Sequence, residues 1–175
     1  MKTPLLACFL AAVTAGCAST PRTSVLPVAA VEKSVRATSE EPDVRDMATR
    51  EIPELRTVHF DYDSDLLDED SRAILRSNAG YLRTHPETTV QISGNCDQRG
   101  TVAYNLALGQ RRASSVRSYY KSLGIAASHV ATISFGKERL LCPQDTDACW
   151  ARNRRAATLE VYSPSMADQP TPGAP

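Results

Sequence analysis

The chain has 175 residues, and its 20 Lys and Arg balance 20 Asp and Glu, so the formal net charge is zero. That length allows one domain with tails, and the charge balance excludes an electrostatic nucleic-acid binder. The 11 prolines and the small polar residues gather toward the two ends, which leaves room for one core between them.

Residues 1–17 read as an export signal. Lys2 supplies the positive start, and Leu5 to Val13 is an apolar run too short to span a bilayer. Val13-Thr14-Ala15-Gly16-Cys17 resembles a bacterial lipobox, with Thr14 where leucine is usual. That resemblance implies cleavage before Cys17 and acylation of its thiol, and several acyl chains together give stable anchoring. Ala18 rather than aspartate follows, a pattern that implies the outer membrane. Residues 18–54 are rich in Ser, Thr, Ala, Pro and charge without a sustained apolar period, so a flexible tether is expected, its ends about 30–35 Å apart as a coil.

A folded head is expected over 55–163. Val58, Phe60 and Tyr62 alternate with His59 and Asp61, as in a strand. Asp68, Glu69 and Asp70 lead a helix from about Ser71 to Thr84, where acids suit the positive helix end, with Ile74, Leu75, Ala79, Tyr81 and Leu82 turned to the core. His85-Pro86 ends it, because the residue before proline leaves the helical region. A strand over Thr88–Ser93 delivers a glycine-bounded loop, Gly94 to Thr101. A second helix follows with Asn105 as N-cap, Gly124 as stop, and an apolar row of Leu106, Gly109, Ala113, Val116, Tyr120 and Leu123. Strands over Val130–Phe135 and Ala157–Val161, with a short helix between them, complete a two-layer α/β sandwich with a four-stranded mixed sheet. Residues 164–175 read as a loose tail.

The chemistry concentrates in the loop and the second helix. Arg112 falls two turns beyond Asn105 on the edge of the apolar row, about 10 Å along the axis, and its side chain can lean back toward Asp97. A carboxylate and a guanidinium facing one cavity suit a zwitterion, the acid taking an ammonium and the arginine a carboxylate. The same spacing also suits a salt bridge between the two, and spacing does not choose. Cys142 and Cys149 are expected to close a disulfide in an oxidising compartment, which leaves Cys96 as a packed or reactive thiol beside Asp97. No Ser/His/Asp or Cys/His grouping suggests catalysis, and no cysteine–histidine spacing suggests a metal. Asp61 and Asp63 read as turn acids rather than a glycosidase pair.

Thr57-Val58-His59-Phe60-Asp61-Tyr62-Asp63, Gly94-Asn95-Cys96-Asp97-Gln98-Arg99-Gly100-Thr101, Asn105 to Ala113, Ser134-Phe135-Gly136-Lys137-Glu138 and Asn153-Arg154-Arg155-Ala156 resemble, in order, the motifs of OmpA-like C-terminal domains. The resemblance implies non-covalent binding of peptidoglycan at meso-diaminopimelate of its stem peptide, without enzymatic activity or cofactor. Asp97 then takes the ammonium and Arg112 the carboxylate. Phe60 and Asp61 line the pocket, Thr101 and Leu108 stand at it, and Arg155 is chosen over Arg154 because it shares a strand side with Leu159 and Val161. Where the family loop often reads Gly-His-Ala/Thr-Asp, Asn95 and Cys96 stand here. Lipoprotein members of the family also bind a periplasmic Tol propeller, so a TolB-like partner is implied alongside the outer membrane; a wall-binding scaffold outside any Tol system is the alternative.

Overall fold

A computed structural model of the protein describes residues 41–44 and 47–164. The export signal, Cys17, most of the tether and the tail beyond Pro164 lie outside the described residues. Among those described, the elements are β1 (Ala48–Arg50), β2 (Val58–His59), α1 (Glu69–Thr84), β3 (Val90–Asn95), α2 (Val102–Ser122), β4 (Val130–Gly136), α3 (Asp147–Asn153) and β5 (Arg155–Tyr162).

The sheet runs β1–β5–β3–β4, and β2 also pairs with β5. β3 and β4 are parallel, Val90 opposite Val130, and every other pairing is antiparallel. A parallel pair needs a crossover, and α2 is that crossover. The mixed sheet with helices packed on it is the α/β sandwich expected. Its fifth strand was not: Ala48–Arg50, inside the stretch read as tether, pairs with Glu160–Tyr162 of β5, and Arg50 Nε lies 2.6 Å from Glu160 Oε2. A three-residue strand carries too little pattern to stand out from its polar flanks.

Asp68 caps α1, its Oδ1 accepting from Ser71 N at 2.7 Å, with Glu69 and Asp70 in the first turn. Leu75, Ala79 and Leu82 of α1 join Val58, Val90, Ile92, Val116 and Val130 in one core. Each such aliphatic, fully buried, contributes roughly 1.5–3 kcal/mol. Tyr120 is completely buried, and its hydroxyl contacts Asn78 Nδ2 at 3.0 Å and Thr158 Oγ1 at 2.9 Å, tying α1, α2 and β5 together. Burial pushes that phenol up to about 12, against the pull of the two hydrogen bonds.

Two features of α2 differ from expectation. It is capped by Thr101, whose Oγ1 accepts from Tyr104 N at 3.2 Å, so Arg112 lies about 16 Å along the axis instead of 10. Asn105 sits inside the first turn, buried, its amide donating to the carbonyls of Arg99 (2.6 Å) and Thr101 (3.0 Å). The buried stripe also lies differently: Asn105, Leu108, Gly109, Arg112, Ala113, Val116 and Tyr120 face inward, and Leu106 is exposed.

Candidate functional site

The end of β3, at Gly94, and the third turn of α2, at Gly109, touch backbone to backbone. A Cβ on Gly94 would land on the carbonyl of Gly109, and a Cβ on Gly109 would meet Ser134 Oγ and the Gly94 carbonyl. Only glycine at both positions allows this approach, and it sets Arg112 directly beneath the loop. Arg112 is fully buried. Its Nε donates to Ser64 O at 2.8 Å, Nη1 to Asn95 O at 2.8 Å and Cys96 Sγ at 3.4 Å, and Nη2 to Asp61 O at 3.2 Å. Its Cζ stands 5.1 Å from the centre of the Phe60 ring. Burial works against the guanidinium charge and lowers its affinity for the proton; the carbonyl dipoles gathered around it make the buried charge tolerable. Of its five N–H donors, four are engaged by these contacts, which leaves one on Nη2.

Asp97 stands on the loop, nearly buried, and it does not pair with Arg112. Its Oδ2 takes Arg99 Nη2 at 2.7 Å, its Oδ1 takes Arg99 Nε and Arg99 N at 3.1 Å each, and Arg154 Nη1 lies 3.6 Å from Oδ2. Burial raises the carboxyl's pKa, but the Arg99 hydrogen bonds and the charges of Arg99 and Arg154 outweigh it and hold the group below the usual carboxylate range. Asp97 and Arg112 line one hollow of about 60 Å³, with Leu108, Tyr62, Tyr104 and Arg154 also on its surface. That is room for a charged head group. Two larger hollows, of about 830 and 570 Å³, lie elsewhere, and neither is lined by Asp97 or Arg112. Size and chemistry disagree here, and the chemistry belongs to the small one.

The other expected residues fall in different places. Phe60 is core beneath Arg112, and its carbonyl accepts from Arg154 Nε at 2.9 Å. Asp61 contributes its backbone carbonyl to Arg112, while its side chain is exposed. Thr101 caps the helix at the edge of the site and does not line the hollow. Arg155 is a correction. Thr158 meets Tyr120 on the helix side of the sheet, so Arg155, which shares parity with Leu159, faces the other side, where its Nη1 and Nη2 donate to the carbonyls of Asn153 and Arg139. Arg154, just before β5, lines the hollow instead. Cys96 is a packed thiol, its Sγ 3.3 Å from Asn105 O, and burial pushes its pKa up. The disulfide joins Cys142 to Cys149 as expected.

Sequence reading missed Arg99, Tyr62, Tyr104 and Trp150. The Arg99 guanidinium is stacked between two rings, 4.2 Å from the Tyr62 centroid and 4.0 Å from that of Trp150. Tyr104 donates its hydroxyl to Asp63. Trp150 is the chain's one tryptophan and sits beside Cys149, the only sequence sign that the disulfide segment carries something toward the loop.

Comparison with known proteins bears on these residues together. Residues 59–154 match the profile of the OmpA family. The chain is 37% identical over 154 residues to a peptidoglycan-associated lipoprotein of Brucella melitensis, covering 88% of this chain and 89% of that protein. Among solved structures, it is similar to the peptidoglycan-associated lipoprotein from Burkholderia pseudomallei, at 42% identity and a TM-score of 0.59, over 60% of this chain and 89% of that one. The C-terminal domain of Helicobacter pylori MotB, 19% identical with a TM-score of 0.56 over 65% of this chain and 88% of that one, shares the fold alone.

Proposed function

The chain belongs to the OmpA family, and from that premise we propose that it binds peptidoglycan non-covalently at meso-diaminopimelate of the stem peptide. In this reading Cys17, acylated, holds the other end in the outer membrane. The observation that carries the reading is that Asp97 and Arg112 open onto one small hollow without pairing to each other. The free end of diaminopimelate is a zwitterion. Its carboxylate meets the remaining N–H of Arg112 and the guanidinium of Arg154, and its ammonium meets Asp97. Arg112 is immobilised before the ligand arrives, so little side-chain entropy is lost on binding.

Co-sedimentation with sacculi tests this. The protein is expected to pellet with diaminopimelate-containing sacculi and to stay in solution with sacculi whose stem peptide carries lysine, which lacks the second carboxylate. Asp97→Asn is the informative variant, because it keeps the loop's shape, whereas removing Arg112 strips three carbonyls of their donor. Loss of pelleting by Asp97→Asn with the folded protein's circular-dichroism spectrum retained supports the site; full retention sinks it.

A protein partner is favoured by a second observation. Tyr62 and Tyr104 stand 65% and 47% exposed at the mouth of the hollow. Aromatic side chains so placed suit a protein interface. A Tol-type propeller docking there competes with the wall. Pull-down of such a propeller, weakened by added stem peptide, is the expected result; without one, the chain acts as a wall-binding scaffold outside a Tol system.

A further inference from the structure

Arg99 holds the position that a ligand's ammonium needs. Both oxygens of Asp97 are engaged by its fork, at 3.1 and 2.7 Å, and its backbone N–H adds a third contact at 3.1 Å. An ionised carboxylate offers about four lone-pair sites, so little of Asp97 is left over. The hollow measures about 60 Å³ with Arg99 in place, and the Arg99 fork occupies its Asp97 side. With Arg99 seated, three guanidiniums (Arg99, Arg112 and Arg154) line the hollow against Asp97, and Asp63 is taken by Tyr104. That state accepts a carboxylate only.

The two cations that matter differ in freedom. Arg112 is fully buried and bonded to three backbone carbonyls. The Arg99 side chain is 33% exposed and rests on side chains, so it can leave without opening the core. One of the rings that holds it, Trp150, directly follows the disulfide-closed segment. Trp150 Nε1 donates to Asp145 Oδ1 at 3.1 Å, Gln98 Nε2 beside Asp97 donates to Gln144 O at 3.2 Å, and both acceptors lie inside the loop between Cys142 and Cys149.

We infer that Arg99 is a resident counter-ion that competes with the ligand for Asp97, and that Trp150, positioned by the disulfide-closed segment, sets how firmly Arg99 is seated. This rests on the site reading above. It makes Arg99 and Trp150 specificity-determining residues: the acid opens to a zwitterion only when the incoming ammonium displaces the guanidinium from both the carboxylate and the indole.

The sole tryptophan lies at the point of displacement, which gives a direct readout. The purified protein is titrated with a diaminopimelate-containing stem tetrapeptide, followed by calorimetry and by Trp150 emission. The wild type is expected to bind with a change in emission as the guanidinium leaves the ring. Arg99→Gln is expected to bind about threefold tighter or more, with the emission change abolished. Arg99→Lys restores part of the competition, and Trp150→Phe tightens binding by less than Arg99→Gln. Binding by the wild type that Asp97→Asn abolishes but Arg99→Gln leaves equal or weaker overturns the displacement while leaving the site. No binding by the wild type or by Arg99→Gln, with both proteins folded by circular dichroism, overturns both.

Discussion

The side of the hollow built by Arg112 and the lip built by Arg99 present the same functional group to the same space, yet they are held by opposite means. Arg112 is fixed by burial, by the glycine contact between β3 and α2, and by backbone carbonyls from β3 and the loop after β2. Arg99 is fixed by an ion pair, two aromatic faces and a segment stapled by a disulfide. A charge that must never move is placed where moving it would cost the core. A charge that must exchange is placed where its partners are side chains at the surface.

The largest effect expected comes from breaking the fixed side. Gly94→Ala drives a methyl into the Gly109 carbonyl, and backbone on both sides leaves nothing flexible to yield. A loss of about 3 kcal/mol or more is expected in urea unfolding, together with loss of sacculus binding, because α2 must move and carries Arg112 with it. An unchanged midpoint would mean the strand–helix contact is not what sets the position of Arg112.

Breaking the lip is expected to cost less. Cys142 and Cys149 are seven residues apart, and opening so short a loop by Cys142→Ser with Cys149→Ser removes about 2.5 kcal/mol in the chain-entropy model. The buried Asn153 still ties the segment, its Oδ1 accepting from Leu141 N at 2.9 Å and Cys142 N at 3.1 Å. The loss is therefore expected to be local: hydrogen exchange should quicken over 141–153 and remain slow in α1 and β3. Equal quickening in the core would erase the distinction between the two sides.

The two sides also differ in how far the sequence disclosed them. Alternation in Val58–Phe60, the helix of Leu75, Ala79 and Leu82, and the proline at position 86 mark elements whose burial follows directly from apolar period. The glycine-bounded loop and Asp97 were legible because an acid between glycines is unusual at a strand end. Arg112 was legible as near the stripe but not as a fully buried member of it, since a charged residue is read as an edge position until the carbonyls that neutralise it are seen. The helix start was misjudged because Thr101 and Asn105 are both good caps, and which one stands first depends on the turn at Gly100, whose φ is +82°. Arg154 and Arg155 are adjacent, and the parity argument failed because Leu159 and Val161 face away from the helices. The clamp on Arg99 was invisible for a different reason. It joins residues 62, 97, 99 and 150, and no local pattern records a contact made across that much chain.

The smallest expected effect links the two sides through the titration of Asp97. Its carboxyl lies below the ordinary 3.8 in the folded protein, so the unfolded chain binds its proton first as the pH falls. The stabilisation is therefore complete above about pH 4 and disappears as the pH drops through the folded value, and the melting temperatures of wild type and Asp97→Asn should converge only at the acid end. Arg99 supplies the main lowering contribution, so loosening its seat must raise the carboxyl toward 3.8. The convergence is then expected to begin at a higher pH in the Cys142→Ser, Cys149→Ser background than in the wild type. An acid limb that stays in place when the disulfide is removed would show that Arg99 is seated by Tyr62 and Asp97 alone, and that the stapled segment leaves the lip's charge untouched.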